Sequence, residues 1–265
     1  MSETSLGQLD QRQVHPLKGV TGAIIFAVVT VVLTVGVILL PLPDLVGPIL
    51  VVFIPFVIST VLLLIEGGWR QVRKQILDRR TWGISLKWAA ISIGVAAALR
   101  IGASLIGMIA GYSFQPAPFT PLLLATFIFA AGEEIGWRGY ALPRAMNRFS
   151  PLAASLLLGI PWALLHLPLT LPGKMLAGAP PAATLLVMMG LSILVTWVYL
   201  GAGSSVLAAT LLHGGQNALV ILNNGIPTET INWIMAGIYV VAALLVILLT
   251  RGRLGASRNQ TLAQD

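Results

Sequence analysis

The sequence has no cysteine and few charged residues. Without cysteine, disulfide bonds, a thiolate nucleophile and cysteine-ligated metal sites are all excluded. Asp, Glu, Lys and Arg together make up 9% of the residues, whereas typical soluble domains contain about 25%. Hydrophobic residues make up 57%, and the mean hydropathy is +0.90. This composition predicts a polytopic membrane protein that has the lipid bilayer as its principal partner.

Apolar segments of membrane-spanning length follow one another along the chain, separated by proline, glycine or charged residues. We therefore predict an all-α fold, a polytopic transmembrane helical bundle of about eight spans. The chain is organised as a single membrane-embedded domain over 19–250, with an N-terminal tail (1–18) and a C-terminal tail (251–265). The predicted segments are 19–41, 45–65, 84–111, 119–142, 151–170, 182–201, 204–222 and 231–250.

Basic residues give the chain a formal charge of +7 and a pI near 10.4. They occur in both tails and in alternate loops, as the positive-inside rule requires of cytoplasmic segments. Both termini are therefore predicted to be cytoplasmic, and no nucleic-acid partner is needed to explain the charge. The residues are Arg12 and Lys18; Arg70, Arg73, Lys74, Arg79 and Arg80; Arg144 and Arg148; and Arg251, Arg253 and Arg258, while the outer loops contain only Lys174.

Two local patterns concern packing at the membrane. The stretch from Gly68 to Trp82 has apolar residues at helical spacing between basic ones, which is typical of a short interfacial helix; a solvated basic loop is the alternative. Gly132 and Gly136 are four residues apart and bracket a pair of glutamates. Small residues at this spacing allow a neighbouring helix to approach closely.

That pair, Glu133 and Glu134, lies within an apolar segment together with Arg138. An ionised side chain at bilayer depth costs roughly 2.5–3.5 kcal/mol on insertion scales, so such groups mark functional sites. Glu134 and Arg138 are four residues apart and share one helix face as an acid–base pair. Glu133 is rotated by about 100° from Glu134. We expect Glu133 to be available as a general base.

Two of the three histidines also lie in apolar segments. His166 follows Trp162 by one helical turn, and His213 precedes Asn217 by one turn. Glu133 with His166 can hold and deprotonate a water molecule, and two neighbouring donors at His213 and Asn217 can bind an oxyanion. Together these groups supply the parts of a peptide hydrolase that lacks a covalent nucleophile.

The three motifs, in this order across the C-terminal half, resemble those of the CPBP family, the CAAX protease and bacteriocin-processing (Abi) family of intramembrane proteases. The matched core runs from about 119 to 222. The sequence around the first motif, Glu-Glu-Ile-Gly-Trp-Arg-Gly-Tyr-Ala-Leu-Pro, is similar to that of the family. The motif residues are Glu133, Glu134 and Arg138, then Trp162 and His166, then His213 and Asn217. The family's second motif usually begins with phenylalanine, where this chain has Trp162.

The resemblance implies an eight-helix intramembrane endopeptidase, from a bacterial or archaeal cell membrane, that acts on a peptide or protein substrate. Glu133 and His166 would activate water, while His213 and Asn217 would stabilise the oxyanion. Glu134, Arg138 and Trp162 would orient the site or the substrate. The resemblance also favours access from the cytoplasm.

The residues leave a metal requirement open. Glu133, His166 and His213 are a candidate zinc set of two histidines and a carboxylate, but the chain has no His-Glu-x-x-His motif. We expect glutamate catalysis with no required cofactor. Arg100 lies within the third segment, where Glu134 or Glu133 is a candidate partner.

Two other functions are compatible with buried charged residues. One is a proton-coupled transporter, in which Glu133, Arg100 and the histidines would form a relay, although no pair of matched halves is visible. The other is a non-catalytic membrane immunity or scaffold protein that uses the polar cluster to join helices. The sequence does not indicate an oligomeric state.

Overall fold

A computed structural model describes residues 16–43 and 46–256, and this part of the chain is helical with no β-strand. Arg12 and Arg258 of the predicted tails lie outside the described residues. The helices are α1 (Val20–Leu39), α2 (Val46–Ile76), α3 (Arg79–Trp82), α4 (Leu86–Ile109), α5 (Ala125–Glu134), a π-helix (Ile135–Ala141), α6 (Leu142–Ala145), α7 (Pro151–Leu164), α8 (Pro181–Gly201), α9 (Val206–Ala218) and α10 (Thr228–Thr250).

Six of the described helices are long and apolar enough to cross a membrane: α1, α2, α4, α8, α9 with the short 3₁₀-helix that follows it, and α10. They match six of the predicted segments. The serine hydroxyls of Ser85, Ser150 and Ser205 cap the first turns of α4, α7 and α9 by accepting backbone N–H groups. The serine caps thus explain where α4, α7 and α9 begin.

The two remaining predicted segments are built from shorter pieces. Segment 119–142 becomes a helical run that starts with a 3₁₀-helix, continues through α5 and the π-helix, and ends with α6. Segment 151–170 becomes α7 followed by a 3₁₀-helix, Leu167–Thr170. The short α7 places His166 in the turn that joins these two pieces.

The backbone of α2 bends sharply at Gly67 and Gly68, where Gly68 has a φ of 66°. Beyond the bend, the helix continues from Trp69 to Ile76 with Trp69 exposed and Val72 and Ile76 buried. This segment, with α3, is the short helix predicted between Gly68 and Trp82.

Gly132 and Gly136 lie against α2. A Cβ atom at Gly136 would be 2.6 Å from the backbone oxygen of Pro55 and 2.8 Å from the ring of Phe26, and one at Gly132 would be 3.1 Å from the oxygen of Val52. Because no side chain fits there, the helix that carries the two glutamates packs directly on the backbone of α2.

Candidate active site

The acid–base pair predicted from the sequence forms in the structure. Arg138 Nη1 lies 3.0 Å from Glu134 Oε2 and donates to Glu134 Oε1 at 3.1 Å. Glu134 Oε1 also lies 2.8 Å from Nδ1 of His213, which comes from α9. All three side chains are buried. Glu134 therefore joins the first motif to the third.

Arg138 has further contacts that fix its position. Its Nη2 donates to the backbone oxygen of Ser192 at 3.4 Å and to the Ser192 hydroxyl at 3.3 Å. Its guanidinium lies 4.6 Å from the centroid of the Trp162 ring. The sequence analysis missed Ser192 because a serine within an apolar segment carries no signal that names its partner.

Trp162 lies at the point where the three motifs meet. Its Nε1 donates to Glu133 Oε2 at 3.0 Å. The rings of His166 and His213 pack edge-on against it, with centroid separations of 5.7 and 5.3 Å. The structure thus brings Glu133, both histidines and Arg138 around one indole ring.

The hydrogen bond of His166 determines which of its nitrogens is free. Nδ1 lies 2.7 Å from the backbone oxygen of Trp162. A carbonyl oxygen only accepts, so Nδ1 carries the proton, and in the neutral ring Nε2 is an acceptor. His166 is close enough to Glu133 and His213 for their charges to interact. Glu133 is only half-buried, and its Oε1 has no protein hydrogen-bond partner among the described residues.

Asn217 occupies a different environment from its neighbour on α9. His213 is buried, whereas Asn217 is exposed and makes no hydrogen bond within the described part of the chain. The amide that is buried is Gln216, which donates to the backbone oxygen of Ala96 at 2.9 Å. The side chain of Asn217 is therefore free to bind a ligand.

A second buried ion pair, absent from the sequence analysis, holds the far end of the π-helix. Arg144 Nη2 lies 2.5 Å from Glu66 Oε2, and the Tyr140 hydroxyl donates to Glu66 Oε1 at 2.6 Å. Arg144 also donates to the backbone oxygen of Leu17 at 3.0 Å. Glu66 and Arg144 thereby join the end of the α2 span to α6 and to the short 3₁₀-helix that precedes α1, Pro16–Lys18.

The predicted partner of Arg100 was wrong. Its Nε donates to the backbone oxygen of Gln216 and its Nη1 to Asn223 Oδ1, both at 3.0 Å, so it binds neither glutamate. Arg100 instead joins α4 to the C-terminal end of α9, where carbonyl groups lack helical partners. Lys174 also has a structural contact, donating from Nζ to the oxygen of Ile38 at 2.6 Å.

The candidate zinc ligands do not form a metal site as placed. Within residues 16–43 and 46–256, no group of three or more His, Asp or Glu side chains is arranged to hold a metal ion. Nδ1 of His213 is occupied by Glu134, and Nδ1 of His166 by a backbone carbonyl. Both contacts leave Nε2 of each imidazole unoccupied, and no catalytic step is assigned to a metal.

Known proteins are similar to much of this chain. Residues 115–219 match the family described as Type II CAAX prenyl endopeptidase Rce1-like. A CAAX prenyl protease 2 from Methanococcus maripaludis is 27% identical over 216 residues, which cover 73% of this chain and 78% of that protein. The chain is thus similar to the CPBP family of intramembrane proteases.

These matches support an integral membrane peptide hydrolase, an intramembrane endopeptidase. The apolar helices agree with that class. The transporter and scaffold alternatives are not favoured by either match. The matched region contains all three motifs and the whole cluster around Trp162.

Proposed function

We propose that this CPBP protease cleaves a peptide bond with a water molecule held between Glu133 and His166. The observation that supports this is the convergence of Glu133, His166 and His213 on Trp162. Glu133 Oε1 and His166 Nε2 are both acceptors, so one water molecule can donate one O–H group to each. This geometry orients the oxygen lone pairs toward a substrate carbonyl.

Each proton in the proposed reaction has a destination. The water oxygen bonds to the carbonyl carbon while Glu133 takes one proton, and the carbonyl π electrons move onto its oxygen. When the tetrahedral intermediate collapses, the C–N bond breaks and Glu133 returns the proton to the leaving amine. The second proton of the water stays on the new carboxyl group, so the products are a carboxyl terminus and an amino terminus, and Glu133 regains its starting charge.

We assign the oxyanion site to His213 and Asn217. His213 donates from Nδ1 to Glu134, so Nε2 can donate to the oxyanion only when the ring is an imidazolium. The negative charge of Glu134 favours that cation, and Arg138 positions Glu134. The exposed amide of Asn217 supplies the second donor.

We also propose that residues 19–250 form one membrane domain with both tails in the cytoplasm of a bacterial or archaeal cell. The alternating basic loops support this orientation. Because the chain has no cysteine, single-cysteine variants report topology without background. R148C should react with an impermeant maleimide only after the membrane is opened, and E229C should react in intact cells. The reverse pattern would overturn the orientation.

The substitution Glu133→Gln tests the catalytic assignment. It removes the proton acceptor, while the amide oxygen can still accept from Trp162, so the fold should be retained. General-base catalysis contributes about 10²–10⁴-fold, and we expect a loss of cleavage in that range. Membrane peptides from cells with the wild type, E133Q or the exposed control E229Q would be compared by mass spectrometry. Cleavage by E133Q at the wild-type rate would reject Glu133 as the base.

A further inference from the structure

A cavity lies away from the Trp162 cluster, on the face that the proposed topology places at the cytoplasm. It has a volume of about 380 Å³. One wall is the helix after the α2 bend together with α3, and the opposite wall contains Gly139, Pro143 and the turn between α8 and α9. None of the proposed catalytic residues lines it. We call it the interfacial cleft.

The charge that faces the interfacial cleft is positive. Lys74 and Arg80 line it, are exposed, and form no side-chain hydrogen bond or ion pair with any other described residue. Asp78 also lines the cleft, but its carboxylate accepts the backbone N–H of Arg80 at 2.8 Å as the cap of α3. The remaining cation in the wall, Arg144, is neutralised by Glu66. Lys74 and Arg80 therefore outnumber the single carboxylate of the lining, Asp78, and give the opening a net positive charge.

The level of the cleft relative to the membrane follows from the helix that forms its wall. On this helix Val72 and Ile76 are buried against the protein, while Trp69 is 59% exposed and Leu77, just past its end, is 61% exposed. An indole and a leucine exposed beside basic residues are typical of a helix lying in the membrane interface. The mouth of the cleft is thus at the level of the lipid phosphates.

We propose that the interfacial cleft binds the headgroup of an anionic phospholipid, with Lys74 and Arg80 contacting the phosphodiester. The volume accommodates a polar headgroup, and the lining supplies cations at phosphate depth. A free phosphate offers the same chemistry, but it lacks the acyl chains that the exposed Trp69 and Leu77 would meet. The exposed apolar residues therefore favour a phospholipid over a free phosphate as the ligand.

The test uses the full chain in nanodiscs of phosphatidylcholine with increasing phosphatidylglycerol, and native mass spectrometry counts the retained lipid. The variant K74Q/R80Q is compared with R70Q/R73Q, which removes the same charge from exposed positions outside the cleft. Charge-assisted contacts to a phosphate are among the stronger hydrogen bonds, so loss of both cleft cations should weaken retention by about tenfold or more. The control pair should change it much less.

Three outcomes would overturn the proposal. They are unchanged lipid retention in K74Q/R80Q, an equal loss of retention in both double variants, or binding of soluble glycerophosphate, in discs that contain only phosphatidylcholine, that equals the retention of phosphatidylglycerol. The last outcome would assign the cleft to a soluble phosphate compound. Repeating the measurement in the E133Q background tests the lipid proposal separately from the proposed peptide cleavage, because lipid retention does not depend on that cleavage.

Discussion

The indole Nε1 of Trp162 donates a hydrogen bond to Glu133 Oε2 at 3.0 Å. This bond occupies one carboxylate oxygen and leaves Oε1 for a water molecule. The same ring packs against His166 and His213. We therefore propose Trp162 as a positioning residue that sets the carboxylate and both imidazoles relative to one another.

Trp162→Phe should keep the aromatic packing and remove the donor. A hydrogen bond to a charged group contributes about 1.5–3 kcal/mol, so we expect kcat to fall by roughly 10- to 100-fold with KM unchanged. Steady-state kinetics on a fluorogenic peptide would measure this. The matched control is W82F, whose indole donates to the oxygen of Ile76 outside the site. Equal kcat for W162F and wild type would show that Glu133 does not need this bond.

Asn217→Ala tests the oxyanion assignment. Loss of one such donor costs roughly 2.7–4 kcal/mol, or about 10²–10³ in kcat. Because Asn217 is exposed and makes no hydrogen bond within the described chain, stability should be unchanged. N232A, at a half-buried position on α10 outside the site, provides the control in both kinetic and unfolding measurements. A variant that is destabilised but turns over normally would contradict the assignment.

Arg138→Ala should act first on stability. It leaves the fully buried Glu134 without its principal cation, and breaking a buried pair costs about 3–5 kcal/mol. Denaturant unfolding in detergent would detect the loss, with the exposed R148A as the control. Removing both charges in E134Q/R138M should recover part of the stability. If R138A unfolds like the wild type but is inactive, Arg138 binds substrate instead.

Gly136→Ala should loosen the contact between α2 and the glutamate-bearing helix. The new Cβ would be 2.6 Å from the Pro55 oxygen, and overpacking of this kind costs about 1–3 kcal/mol. Gly94 is a matched control, because a Cβ there meets nothing within 4 Å. We expect G136A, and not G94A, to lower the thermal midpoint. Equal midpoints would show that α2 can move aside.

Hydropathy predicted the helical class and eight apolar segments, of which six are long helices in the described part of the chain, because long apolar runs determine both. They did not predict how the segment 119–142 is divided. A π-helix differs from an α-helix by one residue per turn and has no composition of its own. The position of His166 after the short α7 likewise depends on a carbonyl contact that sequence spacing does not reveal.

Spacing within one helix predicted the Glu134–Arg138 pair, since the residues are four apart. It offered nothing for Glu66 and Arg144, which are 78 positions apart in the chain. It misled for Arg100, because only carboxylates were considered as partners, whereas the actual acceptors are a backbone oxygen and Asn223. Long-range contacts, and contacts to neutral groups, require coordinates.

The π-helix contains Arg138, which pairs with Glu134, and is followed by Arg144, which pairs with Glu66. Its wider winding turns the chain less per residue than an α-helix does. If the same seven residues were wound as an α-helix, everything beyond them would be rotated by roughly 100°. Arg144 would then point away from Glu66, so the π-helix sets the direction in which the following residues meet α2.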